Sequence, residues 1–164
     1  NNMKIGIIYS TSKKSTKKAC KILSSKLNAD VKMIPIDKAK TNCILKYNFI
    51  IFVASAYNGK FQSSLKRYII RNIKTIKGKP IALAISCEEN IDTEKIFNKI
   101  FTEEIVNSSR INSNFGYELN IEDKGFFEKI RTKNKTEDII PKLNINEINK
   151  FSDYINNLIE QRVD

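Results

Sequence analysis

The sequence predicts an α/β domain: a five-stranded parallel sheet with helices on both faces. Two observations predict it. Segments 4–10, 48–55 and 79–86 are short, continuous apolar runs, the pattern of strands covered on both sides. Stretches with helical apolar spacing lie between such runs, and strand–helix alternation gives parallel pairing. A length of 164 residues with 41% hydrophobic content suits one domain with a real core. That domain is taken as residues 3–162, with Asn1 and Asn2 ahead of Met3 read as an expression scar.

The elements follow in order. KIGIIYS (4–10) is a β-branched, aromatic run bounded by Ser and Thr, hence a buried strand. From Ser15, residues Ala19, Cys20, Ile22, Leu23 and Leu27 take helical spacing, with Ser15 or Thr16 as the expected cap. DVKMIPI (30–36) alternates, and Pro35 puts it at a sheet edge. NFIIFVAS (48–55) is the third strand, and AYNGKF (56–61) is a turn-rich loop. SSLKRYIIRNIKTI (63–76) reads as a helix ending near Gly78. KPIALAIS (79–86) is the fourth strand, and Asp92 starts a helix to about Val106. INSNFGYELN (111–120) is a weaker fifth strand and 125–133 a short helix. Asn146 to Ile159 closes the chain as an amphipathic helix with Ile148, Phe151, Ile155 and Ile159 inward.

Composition removes several chemistries. There is no histidine, which excludes Ser-His, Cys-His and His-ligated metal sites. Cys20, Cys43 and Cys87 form no CxxC pair, which argues against a zinc site or disulfide scaffold and fits a reducing cytosol. No signal-peptide pattern precedes the first strand, so a cytoplasmic location is expected. The formal charge is +11. Ile, Lys and Asn supply 71 residues against seven Ala, which points to codon bias and a solvated lysine face. The distribution is still uneven: residues 1–79 carry 18 of the 29 basic side chains and two of the 18 acidic ones.

In an open parallel sheet, ligands bind beyond the C-terminal strand ends. Three loops lie there: Ser10–Thr16, Ser55–Phe61 and Ser86–Asn90. The first, YSTSKKST with its preceding tyrosine, enters a helix N-terminus, where backbone N–H groups and the helix dipole favour an anion. Ser10, Thr11, Ser12, Ser15 and Thr16 add hydroxyls, and Lys13 and Lys14 add charge. Each piece alone has a plainer meaning: a cap and turn, a solvated lysine face, packing aromatics at Tyr57 and Phe61. Cys20 and Cys43 read as buried small hydrophobes, and nothing activates Cys87. It is the joint placement after strands one, three and four that points to a site. GxGxxG and GxxxxGK[ST] are both absent, which disfavours a dinucleotide site and excludes a P-loop. One phosphate in a hydroxyl-rich loop, with aromatics on the next, suggests a mononucleotide whose flat ring lies over 55–61. FMN fits that shape.

Over nearly its whole length the chain resembles a flavodoxin-type domain, which implies a three-layer sandwich with strand order 2-1-3-4-5. Flavodoxins carry T-x-T-G-x-T as the FMN phosphate loop. Thr11-Ser12-Lys13-Lys14-Ser15-Thr16 occupies that place; Thr11 and Thr16 match, Lys13 and Lys14 depart, and Lys14 replaces the glycine, so lysine must accept the backbone conformation there. The closest resemblance is to flavodoxin-like, quinone-dependent protoporphyrinogen oxidases. Their first loop, of the type FSTRDGQT, runs in register with IYSTSKKST, and their second resembles Val53 to Phe61, glycine included. Their extended basic region after strand five corresponds to a shorter Gly116 to Lys135. The resemblance implies that Ser55, Ala56, Tyr57, Asn58, Gly59 and Phe61 cover one ring face, with Gly59 allowing backbone adjustment on reduction. Ser86, Cys87 and Glu88 would flank the ring, where Glu88 and Glu89 would disfavour an anionic reduced flavin.

The reading is an FMN-binding redox protein, an oxidoreductase resembling those oxidases, in which the flavin carries the chemistry. Its expected partners are a redox partner or quinone acceptor, a carboxylate-bearing substrate, and an anionic membrane surface on the inner face. Alternatives are a non-enzymatic electron-carrier flavodoxin, and a flavodoxin-like binding module that has lost FMN. Nucleic acid stands last.

Overall fold

Three apolar runs set the centre of the sheet. The computed structural model describes residues 3–89, 91–119 and 141–162. The strands are β1 (Lys4–Tyr9), β2 (Asp30–Pro35), β3 (Phe49–Tyr57), β4 (Lys60–Phe61), β5 (Ile81–Ser86) and β6 (Asn112–Asn114). Their order is β2-β1-β3-β5-β6, all parallel, with β4 antiparallel on β3. With β4 set apart, this is the expected 2-1-3-4-5. The three apolar strands are central, and the Pro35 strand lies at an edge, where a missing N–H does no harm.

The helices are α1 (Lys14–Lys26), α2 (Ser64–Arg71), α3 (Ile73–Lys77), α4 (Thr93–Phe101), α5 (Glu103–Ser108) and α6 (Ile145–Gln161). Side-chain alternation divides the core between two faces. Ile5, Ile7, Tyr9, Ile51 and Val53 pack with Ala19, Cys20 and Leu23 of α1 and Phe151 and Ile155 of α6. Ile8, Ile50, Phe52 and Leu83 pack with Leu65 and Ile69 of α2 and Phe97 and Ile100 of α4. Among the described residues, no helix is long and apolar enough to cross a membrane.

Several boundaries differ from the sequence reading, each for a physical reason. The stretch 56–61 is a hairpin rather than a loop. Asn58 (φ 52°) and Gly59 (φ 73°) both take positive φ, as a type I′ turn requires, and Tyr57 pairs with Lys60. The helix expected over 63–76 breaks at Asn72, whose buried side chain donates to Tyr68 O at 2.9 Å. The helix from Asp92 breaks at Thr102 (φ 74°), which starts α5. The fifth strand is three residues, because Gly116 (φ 77°) turns the chain just after it. Helix α1 begins at Lys14 with Lys13 as its N-cap, and no side chain caps it, so neither Ser15 nor Thr16 is the cap. The helix expected at 125–133 lies outside the described residues.

Candidate functional site

The C-terminal ends of β1, β3 and β5 carry the three loops to one edge of the sheet. Two of them touch. Ser12 Oγ lies 2.8 Å from Ser55 Oγ, and Thr11 N donates to Gln62 Oε1 at 3.0 Å. Beneath them, Ser10 N donates to Val53 O at 2.9 Å. Between the loops lies a cavity of about 570 Å³, within the usual range for a small-molecule site. Ser12, Lys13, Ser55, Tyr57, Phe61 and Gln62 are among its lining residues, with Ala56 and Asn58.

Beneath the first loop, β1 runs into α1. Ser10 and Thr16 are fully buried, and neither hydroxyl has a hydrogen-bond partner among the described residues. Buried hydroxyls are normally paired, so an unpaired one points to a missing partner. The α1 N-terminus near them has no side-chain cap among the described residues and no acidic residue in its first turn. Ser64, which opens α2, has the third such hydroxyl. Lys14 is exposed at the first helical position. Asn58 and Thr102 are the non-glycine residues with positive φ among those described, so Lys14 takes a conformation any residue accepts.

The aromatic end is built by the hairpin. Tyr57 stands half-buried at the cavity wall, stacked on buried Tyr117 with ring centroids 5.1 Å apart. Lys13 Nζ lies 5.9 Å from the Tyr57 ring centroid, within cation–π range. Gly59 forms the exposed tip, and Asn58 N donates to both Glu88 oxygens, at 3.0 and 3.1 Å.

The rest of the predicted site faces inward. Glu118 N donates to Ser15 Oγ (2.8 Å), Ser15 and Ser86 hydroxyls lie 2.9 Å apart, and Ser86 donates to Gly116 O (2.7 Å). This buried relay ties α1 and β5 to the 116–118 segment, and both serine hydroxyls are satisfied within it. Cys87 is buried; burial first, then the Glu88 carboxylate, pushes its thiol up to about 12. Gln62, Asn114, Tyr117 and Glu118 were not legible as site residues. The Asn58-Gly59 pair carried a signal for one of them, since a hairpin there returns Gln62 to the first loop.

The sequence pattern described as "Flavodoxin domain" matches residues 6–137. The chain belongs to the flavodoxin domain family. Among solved structures the chain is similar to a short-chain flavodoxin associated with a non-canonical PDU bacterial microcompartment. That likeness has 16% identity and a TM-score of 0.61, covering 97% of this chain and 98% of the other. Oxidised flavodoxin 2 from Bacillus cereus is 14% identical with a TM-score of 0.61, covering 94% and 99%. Rubredoxin oxygen:oxidoreductase from Desulfovibrio gigas is 13% identical with a TM-score of 0.53; the match covers 79% of this chain but 33% of that chain, about a third of its length. These likenesses show the fold. No curated protein sequence matches the chain. FMN is the cofactor that family membership implies, and the residues present fit it: two unpaired buried hydroxyls at a helix N-terminus suit a phosphate, and an aromatic-walled cavity suits a ring.

Proposed function

We propose that this protein is an FMN-dependent oxidoreductase of the quinone-dependent protoporphyrinogen oxidase type. The observation that carries FMN binding is the junction of loops 10–16 and 55–62, where Ser12, Lys13 and Tyr57 line one cavity, with the unpaired hydroxyls of Ser10 and Thr16 buried beneath the first loop and outside the cavity lining. Ser10 and Thr16 would hold the phosphate, with the α1 N-terminus behind them. Tyr57 would cover a ring face and exclude water from it. Bound FMN would supply one- and two-electron transfer; the protein supplies placement and charge.

Support for the oxidase reading comes from the two loop sequences and from charge. Lys13 and Lys60 line the cavity, and the segment 31–87 holds one acidic residue, Asp37. Such a rim attracts a carboxylate-bearing substrate. Arg67, Ile70 and Arg71 of α2 and Lys74 of α3 are exposed at helical spacing, a stripe suited to an anionic membrane surface. The test has two stages. The purified protein should bind FMN and show a flavin absorption spectrum, then oxidise protoporphyrinogen with a quinone acceptor. Flavin uptake without substrate oxidation would leave an electron carrier. No flavin uptake would leave a binding module.

A further inference from the structure

The β3–β4 hairpin overhangs the sheet. Pairing of β3 with β1 ends at Val53 and with β5 at Ser55, so among the described residues the two-residue β4 is the strand that pairs with Ala56 and Tyr57. A hairpin of two pairs is not stable by itself. Besides the packing of Ala56 and Phe61 against the core and Lys13 over the Tyr57 ring, two further contacts hold it. One is the stack of Tyr57 on Tyr117. The other is Glu88, whose two oxygens both accept from Asn58 N at the tip. Glu88 is itself anchored: Cys87 N donates to Asn114 Oδ1 at 3.2 Å, and the Cys87 thiol faces Glu88 Oε1 at 3.7 Å. A carboxylate acceptor makes this one of the stronger bonds available to a backbone N–H.

We propose that Glu88 is a positioning residue, the latch that fixes the hairpin tip and so sets where Tyr57 stands at the cavity. It acts through Asn58 and need not touch the flavin. Its consequence for ligand binding rests on the reading above; the latch itself does not.

The experiment compares the full-length wild type with Glu88→Gln and Glu88→Ala. Amide hydrogen exchange is followed by NMR without ligand, and FMN affinity is then measured by fluorescence. In Glu88→Ala the Asn58 amide should exchange about tenfold faster or more, while Ile51 and Phe52 amides in β3 keep their protection. Glu88→Gln keeps one acceptor oxygen and should retain most of the Asn58 protection. FMN affinity should follow the same order: wild type, Gln, Ala. Unchanged Asn58 exchange in Glu88→Ala would overturn the latch. So would equal loss at Ile51 and Phe52, or a Gln variant no better than Ala. If the wild type takes up no FMN, the functional reading falls, while the ligand-free exchange still decides the latch.

Discussion

Replacing Thr16 by valine isolates the work of one buried hydroxyl. Valine keeps the β-branched shape and removes the oxygen. Without ligand, Thr16 Oγ1 is fully buried and unpaired among the described residues. Leaving such a group unpaired costs about 1–3 kcal/mol, so the substitution should stabilise the ligand-free protein by up to that amount. For a chain of this size, 1 kcal/mol moves Tm by about 2–4 °C, giving a rise of about 2–12 °C. With FMN the sign reverses. The lost bond to a charged phosphate is worth about 1.5–3 kcal/mol, or a Kd raised about 10- to 150-fold. Riboflavin has no phosphate and should bind the variant as it binds the wild type. The assays are thermal unfolding of the ligand-free proteins and fluorescence titration with both flavins. A variant that is destabilised and loses both flavins equally would refute the reasoning, because Thr16 would then serve only the helix.

Three other perturbations test separate parts of the account. Gly116→Ala places a Cβ 2.7 Å from Lys142 O at a φ of +77°; strain of about 2 kcal/mol or more should lower Tm by about 4–8 °C, and an unchanged Tm would contradict the packing described. Tyr57→Ala loses a stack worth about 0.5–1.5 kcal/mol, so it should lower Tm by only a few degrees while weakening FMN; a Tm loss above about 10 °C in the ligand-free protein would make Tyr57 a packing residue. The Cys87 thiol is pushed up from 9.0 to about 12, so the native state keeps a proton that the unfolded chain releases. Its stabilisation is therefore full below pH 9 and lost as pH rises toward 12; Cys20, also raised by burial, acts in the same direction. Cys87→Ala should flatten part of that decline in denaturant titrations, and an unchanged slope would contradict the assignment.

The central sheet was legible because β1, β3 and β5 are apolar on both faces, and that pattern has one simple structural meaning. Pro35 marked its edge. The site was legible only as loops. Ser10 and Thr16 read as hydroxyls near a helix, but their lack of partners is a property of packing. Lys14 read as a departure from a glycine motif; its helical φ makes that departure tolerable. Ser15 and Ser86 read as ligand-facing, yet their hydroxyls meet each other across 71 residues. Tyr117 joins Tyr57, and Glu88 joins Asn58, across gaps that no periodicity encodes. The breaks at Asn72 and Thr102 were hidden because apolar spacing runs on through both. Asn58-Gly59 was the one missed signal with a local meaning, since that pair is a strong two-residue hairpin marker.

The central claim is that this protein holds FMN with its phosphate at the α1 N-terminus between loops 10–16 and 55–62. The most direct measurement is the ³¹P NMR spectrum of FMN titrated with the purified protein. The account predicts that the phosphate resonance moves to a distinct bound position at saturation, and that Thr16→Val needs more protein to reach it. A resonance that stays at the free position with protein in excess would contradict the claim.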